Sequence, residues 1–203
     1  MTARVRLASG LLGALAGLAC TPPLPASELP APADAVPLDV DEEVVHYRVA
    51  GDDLEALRDA LRSQAVSDRT GGSHGRTHST LEIEYIPKGV EGGCRAERPR
   101  IRMHITTTLP EWEPGNQADD SARKRWREVA AALQRHEAMH REHALAAARE
   151  LQAALATIGD RPDCRKLGRA IDRAFLLVTL KARLRDDRYD ARTRNGLEEG
   201  IEL

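Results

Sequence analysis

The stretch Gln134-Arg135-His136-Glu137-Ala138-Met139-His140-Arg141-Glu142-His143-Ala144 decides how this chain is read. It contains His136-Glu137-x-x-His140. On a helix, residues four apart sit about 40° apart around the axis and one turn apart along it. Two neutral imidazoles in that relation can grip one Zn²⁺ from the same side. Glu137 points roughly 100° away from His136, beside the metal, where a carboxylate can take a proton from water. A histidine on an apolar face is more often a plain core residue, and three fixed residues also recur by accident. Here Leu133, His136, His140, Ala144, Ala147 and Leu151 form one stripe, so both histidines face the core side. Two of them at ligand spacing, with Glu137 next to the first, favour a metal site.

The helix that carries this turn has clear limits. Asp119, Asp120 and Ser121 are N-cap candidates, and Gly159 is a stop, which predicts a helix over residues 122–157. Pro162 marks the next boundary. A second helix over 164–184 follows from Leu167, Ile171, Phe175, Val178 and Ala182 at helical spacing. Upstream, Val45, Tyr47 and Val49 alternate with polar neighbours, as do Leu81, Ile83 and Tyr85, and Ile101, Met103, Ile105 and Thr107. Each set predicts a half-buried strand. A short helix with Leu54, Leu57 and Leu61 on one stripe, capped by Asp52 or Asp53, lies between the first two. Residues 66–77 and 87–99, rich in Gly and Pro, read as loops. The predicted fold is α+β: a small antiparallel sheet of about three strands, covered on one face by a long zincin-type helix and further helices.

Two histidines do not complete a catalytic zinc site, which needs three protein ligands and an open position. His143 lies about 10.5 Å further along the axis than His136. A straight helix cannot bring both to one ion, so a hydrogen-bonding role suits it better. The remaining candidate is distant in sequence. Asp190, in the polar tail Tyr189-Asp190-Ala191-Arg192-Thr193, is expected as the third ligand. Tyr189 could offer its phenol to a substrate carbonyl. The tail reads as turns without helical period, able to fold back toward the metal.

Residues 1–20 read as an export signal. Arg4 and Arg6 precede an apolar run over 7–18, and Cys20 follows small residues as in a bacterial lipobox, which would make it a lipidation site. Simple cleavage and secretion is the alternative. Residues 21–41, with six prolines, read as a tether reaching up to about 60 Å at ~3.1 Å per residue. Residues 42–203 would be the folded domain. Lipidation of Cys20 would leave Cys94 and Cys164 to pair, a bond that persists in an oxidising compartment. None of the cysteines has metal-site spacing. The net charge of −2, with basic and acidic residues interleaved, gives no electrostatic case for nucleic acid. With one Phe, two Trp and three Tyr, the core must be mostly aliphatic.

An ordered set of motifs extends this reading: Tyr47-x-Val49-x-Gly51, Leu109-Pro110-x-Trp112, the His-Glu-x-x-His turn, Cys94 with Cys164, and Tyr189-Asp190-x-x-Thr193-x-x-Gly196. Together they resemble a bacterial family of predicted secreted zinc-dependent proteases still labelled a domain of unknown function. The resemblance runs from about residue 42 to residue 200. One departure is Asn195, where the pattern usually has His. The resemblance implies an envelope-tethered or secreted zinc-dependent peptidase. His136, His140 and Asp190 would hold Zn²⁺, Glu137 would be the general base, and a peptide or protein chain would lie along the sheet edge. A non-enzymatic envelope lipoprotein with a structural or degenerate metal site is the alternative.

Overall fold

A computed structural model describes residues 36–64, 74–115 and 118–203. The elements run β1 (Leu38–Gly51), α1 (Leu54–Gln64), β2 (Arg76–Val90), β3 (Gly93–Pro114), α2 (Asp120–Ala156) and α3 (Cys164–Thr193). A short 3₁₀ turn, Leu197–Glu199, ends the series. The fold is α+β, with three strands in the order β1-β3-β2 and the long α2 packed against them. The sheet is mixed, which corrects the all-antiparallel expectation. β2 runs antiparallel to β3, but β1 runs parallel to it, Leu38 opposite Ile101 and Gly51 opposite Pro114. Alternation shows which side chains face inward and carries no information on strand direction. Direction is set by the connection, and here α1 and β2 together form the crossover that a parallel pair needs.

β3 is the central strand, and Ile101, Met103 and Ile105 on one face are buried beneath α2 and α3. Val49 and Trp112 fall on the opposite parity. They are buried in a separate cluster with Leu57 and Leu61 of α1 and Ala122 of α2. The Trp112 indole donates to the Gly51 carbonyl at 2.9 Å, tying the ends of β1 and β3 to the start of α1. The stretch 87–99, read above as a loop, is ladder: Pro87 opposes Ala96 and Gly89 opposes Cys94. Only Glu91 and Gly92 form the turn, and Gly92 takes φ +78, which favours glycine.

β1 begins at Leu38, and Val36 is buried in the main core, so the fold starts inside the stretch expected to be tether. The expected signal, and Cys20 with it, lie outside the described residues. α2 starts where its caps predict. Asp119 accepts a 2.6 Å hydrogen bond from the Ala122 amide, and Thr157 closes the far end. Cys94 and Cys164 form a disulfide that pins the β2–β3 hairpin to the first residue of α3. Among the described residues no helix is long and apolar enough to cross a membrane.

Candidate metal centre

α3 runs to Thr193, about two and a half turns beyond the expected end. Tyr189 and Asp190 are therefore helical, where the tail pattern suggested turns. The added turns place Asp186, Tyr189, Asp190 and Thr193 on one face, spaced three and four apart. That face meets α2. Its polarity is the reason that a search for apolar period ends at Leu184.

Three donor atoms meet between the two helices. His136 Nε2 and His140 Nε2 are 3.3 Å apart. Asp190 Oδ1 lies 3.3 Å from the first and 3.0 Å from the second. Bonds of 2.0–2.1 Å to a tetrahedral zinc give ligand–ligand edges of about 3.3–3.4 Å. The triangle thus has the size that this ion requires, and the donor set of two imidazoles and one carboxylate is one zinc accepts. His136, His140 and Asp190, expected from sequence as ligands, are brought together by the fold.

The outer ring nitrogens show why the inner ones converge. His136 Nδ1 sits 2.8 Å from Glu199 Oε2, and His140 Nδ1 sits 3.0 Å from Asp186 Oδ1. A carboxylate only accepts, so each Nδ1 carries a proton and each Nε2 is the atom turned inward toward Asp190. His143 Nδ1 also donates to Asp186 Oδ1, at 2.7 Å, the hydrogen-bonding role its position on the helix implies. Tyr189 stacks on His136 at 4.9 Å between centroids, and its hydroxyl donates to Glu199 Oε1 at 2.8 Å. Glu199 thus holds two side chains at once.

The charges of the rings and the carboxylates in this cluster are coupled. Burial disfavours a charged His140, yet its hydrogen bonds to Asp186 and Asp190 overcome that and push its pKa up to about 10. The His136 pKa also rises, with burial opposed by Asp190 and Glu199. Asp190 is likewise disfavoured by burial, but both rings hold its carboxyl well below the usual carboxylate range.

Glu137 is 2 % exposed. Burial raises its pKa, against the opposing hydrogen bond from Thr77. The Thr77 hydroxyl, from the second residue of β2, lies 2.9 Å from Glu137 Oε2 and 3.1 Å from the Glu137 carbonyl. Gly75 lies against the same carboxylate. A Cβ there would stand 2.9 Å from Oε1 and 2.8 Å from Leu133 Cδ1, too close for any larger residue to fit without displacement.

The tail reaches the site through three successive left-handed residues: Arg194, Asn195 and Gly196 at φ 52, 54 and 84. Asn tolerates this conformation better than most residues. At Gly196 a Cβ would stand 2.1 Å from Ile201 Cδ1 and 3.4 Å from His136 Nδ1, so glycine is needed for space as well as for φ. The turn delivers Glu199 to His136 and buries Ile201 against Leu109, Ala132 and Leu133. Glu199, Asp186, Thr77 and Gly75 are missing from the expected site. Asp186 had a signal: it precedes Asp190 by four residues, as His136 precedes His140.

The fold and the site define an α+β protein presenting a His-Glu-x-x-His helix to a partner helix that turns Asp186 and Asp190 toward it. A family described as "Bacterial protein of unknown function (DUF922)" matches residues 44–196, and the chain belongs to it. No curated protein and no solved structure matches.

Proposed function

We propose that this chain is a zinc-dependent peptidase of the bacterial cell envelope, tethered through Cys20 or secreted. The observation that carries the reading is the convergence of His136 Nε2, His140 Nε2 and Asp190 Oδ1 at zinc-ligand spacing, with both outer nitrogens fixed by carboxylates. Zinc, when bound, supplies the Lewis acidity that brings the pKa of a water molecule toward about 7. Glu137 moves the proton. Thr77 occupies Oε2, which leaves Oε1 to accept a proton from water as the water oxygen adds to the peptide carbonyl carbon, and to return that proton to the amide nitrogen as the C–N bond breaks. Burial makes this carboxylate more basic than an exposed one and suits it to that exchange. Tyr189 is a positioning residue in this scheme, because its hydroxyl holds Glu199.

The substrate class follows from the sheet. β2 is an edge strand, and its first residues lie beside Glu137 through Thr77. An extended peptide adding to that edge would run past the carboxylate. The disulfide fits an oxidising export compartment.

The test is Glu137→Gln, which keeps an acceptor for Thr77 and removes the base. Cleavage of a denatured protein should vanish while bound zinc is retained; unchanged cleavage would reject the mechanism. The near-complete burial of Glu137 favours one other reading, an envelope lipoprotein whose metal is structural. A chelator melt separates them. A structural ion leaves a largely unfolded chain when stripped, whereas a catalytic one costs activity with a smaller change in melting.

A further inference from the structure

The face of α3 turned away from the sheet is apolar and uncovered. Leu176, Leu177, Leu180 and Leu184 are 64, 47, 50 and 43 % exposed. They share one stripe, opposite the buried stripe of Leu167, Ile171 and Val178. Arg173 precedes Leu180 by seven residues and Asp187 follows it by seven. Seven residues are two turns with a drift of only about 20°, so both charges lie on the leucine face. Both are exposed, and among the described residues neither has an ion-pair partner. Arg173, Leu177, Leu180, Leu184 and Asp187 are spaced four, three, four and three apart, the seam of a coiled-coil heptad.

We propose that this face is the interface of a homodimer, in which α3 packs antiparallel against α3 of a second copy about a twofold axis near Leu180. The charges select the direction. Antiparallel pairing sets Arg173 of each copy against Asp187 of the other and leucine against leucine. Parallel pairing would set Arg173 against Arg173 and Asp187 against Asp187. A self-complementary patch is what a twofold interface requires. One helix pair covers less than the ~800 Å² per partner of standard stable complexes, so dimerisation depends on concentration. An anionic membrane is the rival occupant, which the basic residues of α3 would suit; the placement of Arg173 and Asp187 seven residues either side of Leu180 favours the second copy, since a membrane makes no use of it.

Sedimentation equilibrium of the full chain over a concentration series tests this, alongside co-sedimentation with phosphatidylglycerol vesicles. The wild type should approach twice the monomer mass, and Leu180→Glu should stay monomeric. Arg173→Glu and Asp187→Arg should each weaken association about tenfold, and the double swap should restore most of it. Four results would overturn the proposal. They are a monomer at every concentration, a dimer indifferent to Leu180→Glu, a double swap as weak as the single reversals, or vesicle binding that Asp187→Arg strengthens.

Discussion

Replacing Glu199 by Ala removes one acceptor from two donors. His136 Nδ1–H and the Tyr189 hydroxyl each lie 2.8 Å from a Glu199 oxygen, and the residues that carry them are 4 and 5 % exposed. A buried donor left without a partner costs about 1–3 kcal/mol. The Glu199 side chain itself is 29 % exposed, so water can enter its place and the cost falls at the low end for each donor. The metal-free protein should lose about 2 kcal/mol, which at roughly 2–4 °C per kcal/mol for a chain of this size is a fall of about 4–8 °C in Tm. The effect on zinc should be larger than stability alone explains, because the His136 tautomer is no longer fixed. Loss of such an outer partner typically weakens metal affinity by about 10–100-fold. Competition against a chromophoric chelator measures the affinity, and a thermal melt after stripping measures the stability. Glu198→Ala is the control, since Glu198 pairs with Arg194 on the surface. Zinc affinity in Glu199→Ala within twofold of the wild type would refute the reasoning.

The disulfide and the site's protons give two further tests. Replacing Cys94 and Cys164 together by Ser opens a loop of 70 residues and should lower stability by up to about 4 kcal/mol, seen as a drop in the urea midpoint. An unchanged midpoint would remove the bond from the account of stability. Because the His140 pKa stands near 10 in the metal-free protein, its ring is protonated at pH 8 and must release a proton when zinc binds. The calorimetric heat of zinc binding at pH 8 should therefore vary with the ionisation enthalpy of the buffer, and a heat independent of buffer would contradict this. The same shift fixes a sign for stability without metal. This group's contribution is complete below pH 6.5 and is lost as pH rises through about 10.

The central half of the site was legible because it lies on one helix with strong local signals. Asp119 caps α2, Gly159 follows its end, and His136 and His140 share the inward stripe with Leu133 and Leu151. Asp190 could be named from residue type, but its setting was misread. The last turns of α3 bury Tyr189 and Thr193 and turn the half-buried Asp186 and Asp190 toward α2, where aliphatic residues would be usual, so the polar face passed for a loose tail. The same limit applies to the sheet. Alternation located the inward residues of β2 and β3 and, in β1, Tyr47 and Val49; Val45 is 44 % exposed, and the pattern could not show that β1 runs with β3. The hairpin between Tyr85 and Arg100 was hidden because Gly89, Gly93 and Pro87 read as loop, while the ladder they join is held by β3 and the disulfide. Glu199 reaches His136 only through three left-handed residues, a path that no periodic pattern reports. Thr77 and Gly75 meet Glu137 across about 60 residues of chain, and only the packed fold brings them together.

The claim on which everything else depends is that two rings of α2 and one carboxylate of α3 form a zinc site. Elemental analysis after equilibration with zinc and removal of the excess tests it directly, on the wild type, His140→Ala and Asp190→Ala. The account predicts about one zinc per chain in the wild type and a marked loss in both variants. A wild type that retains no zinc, or variants that retain as much as it does, would contradict the account.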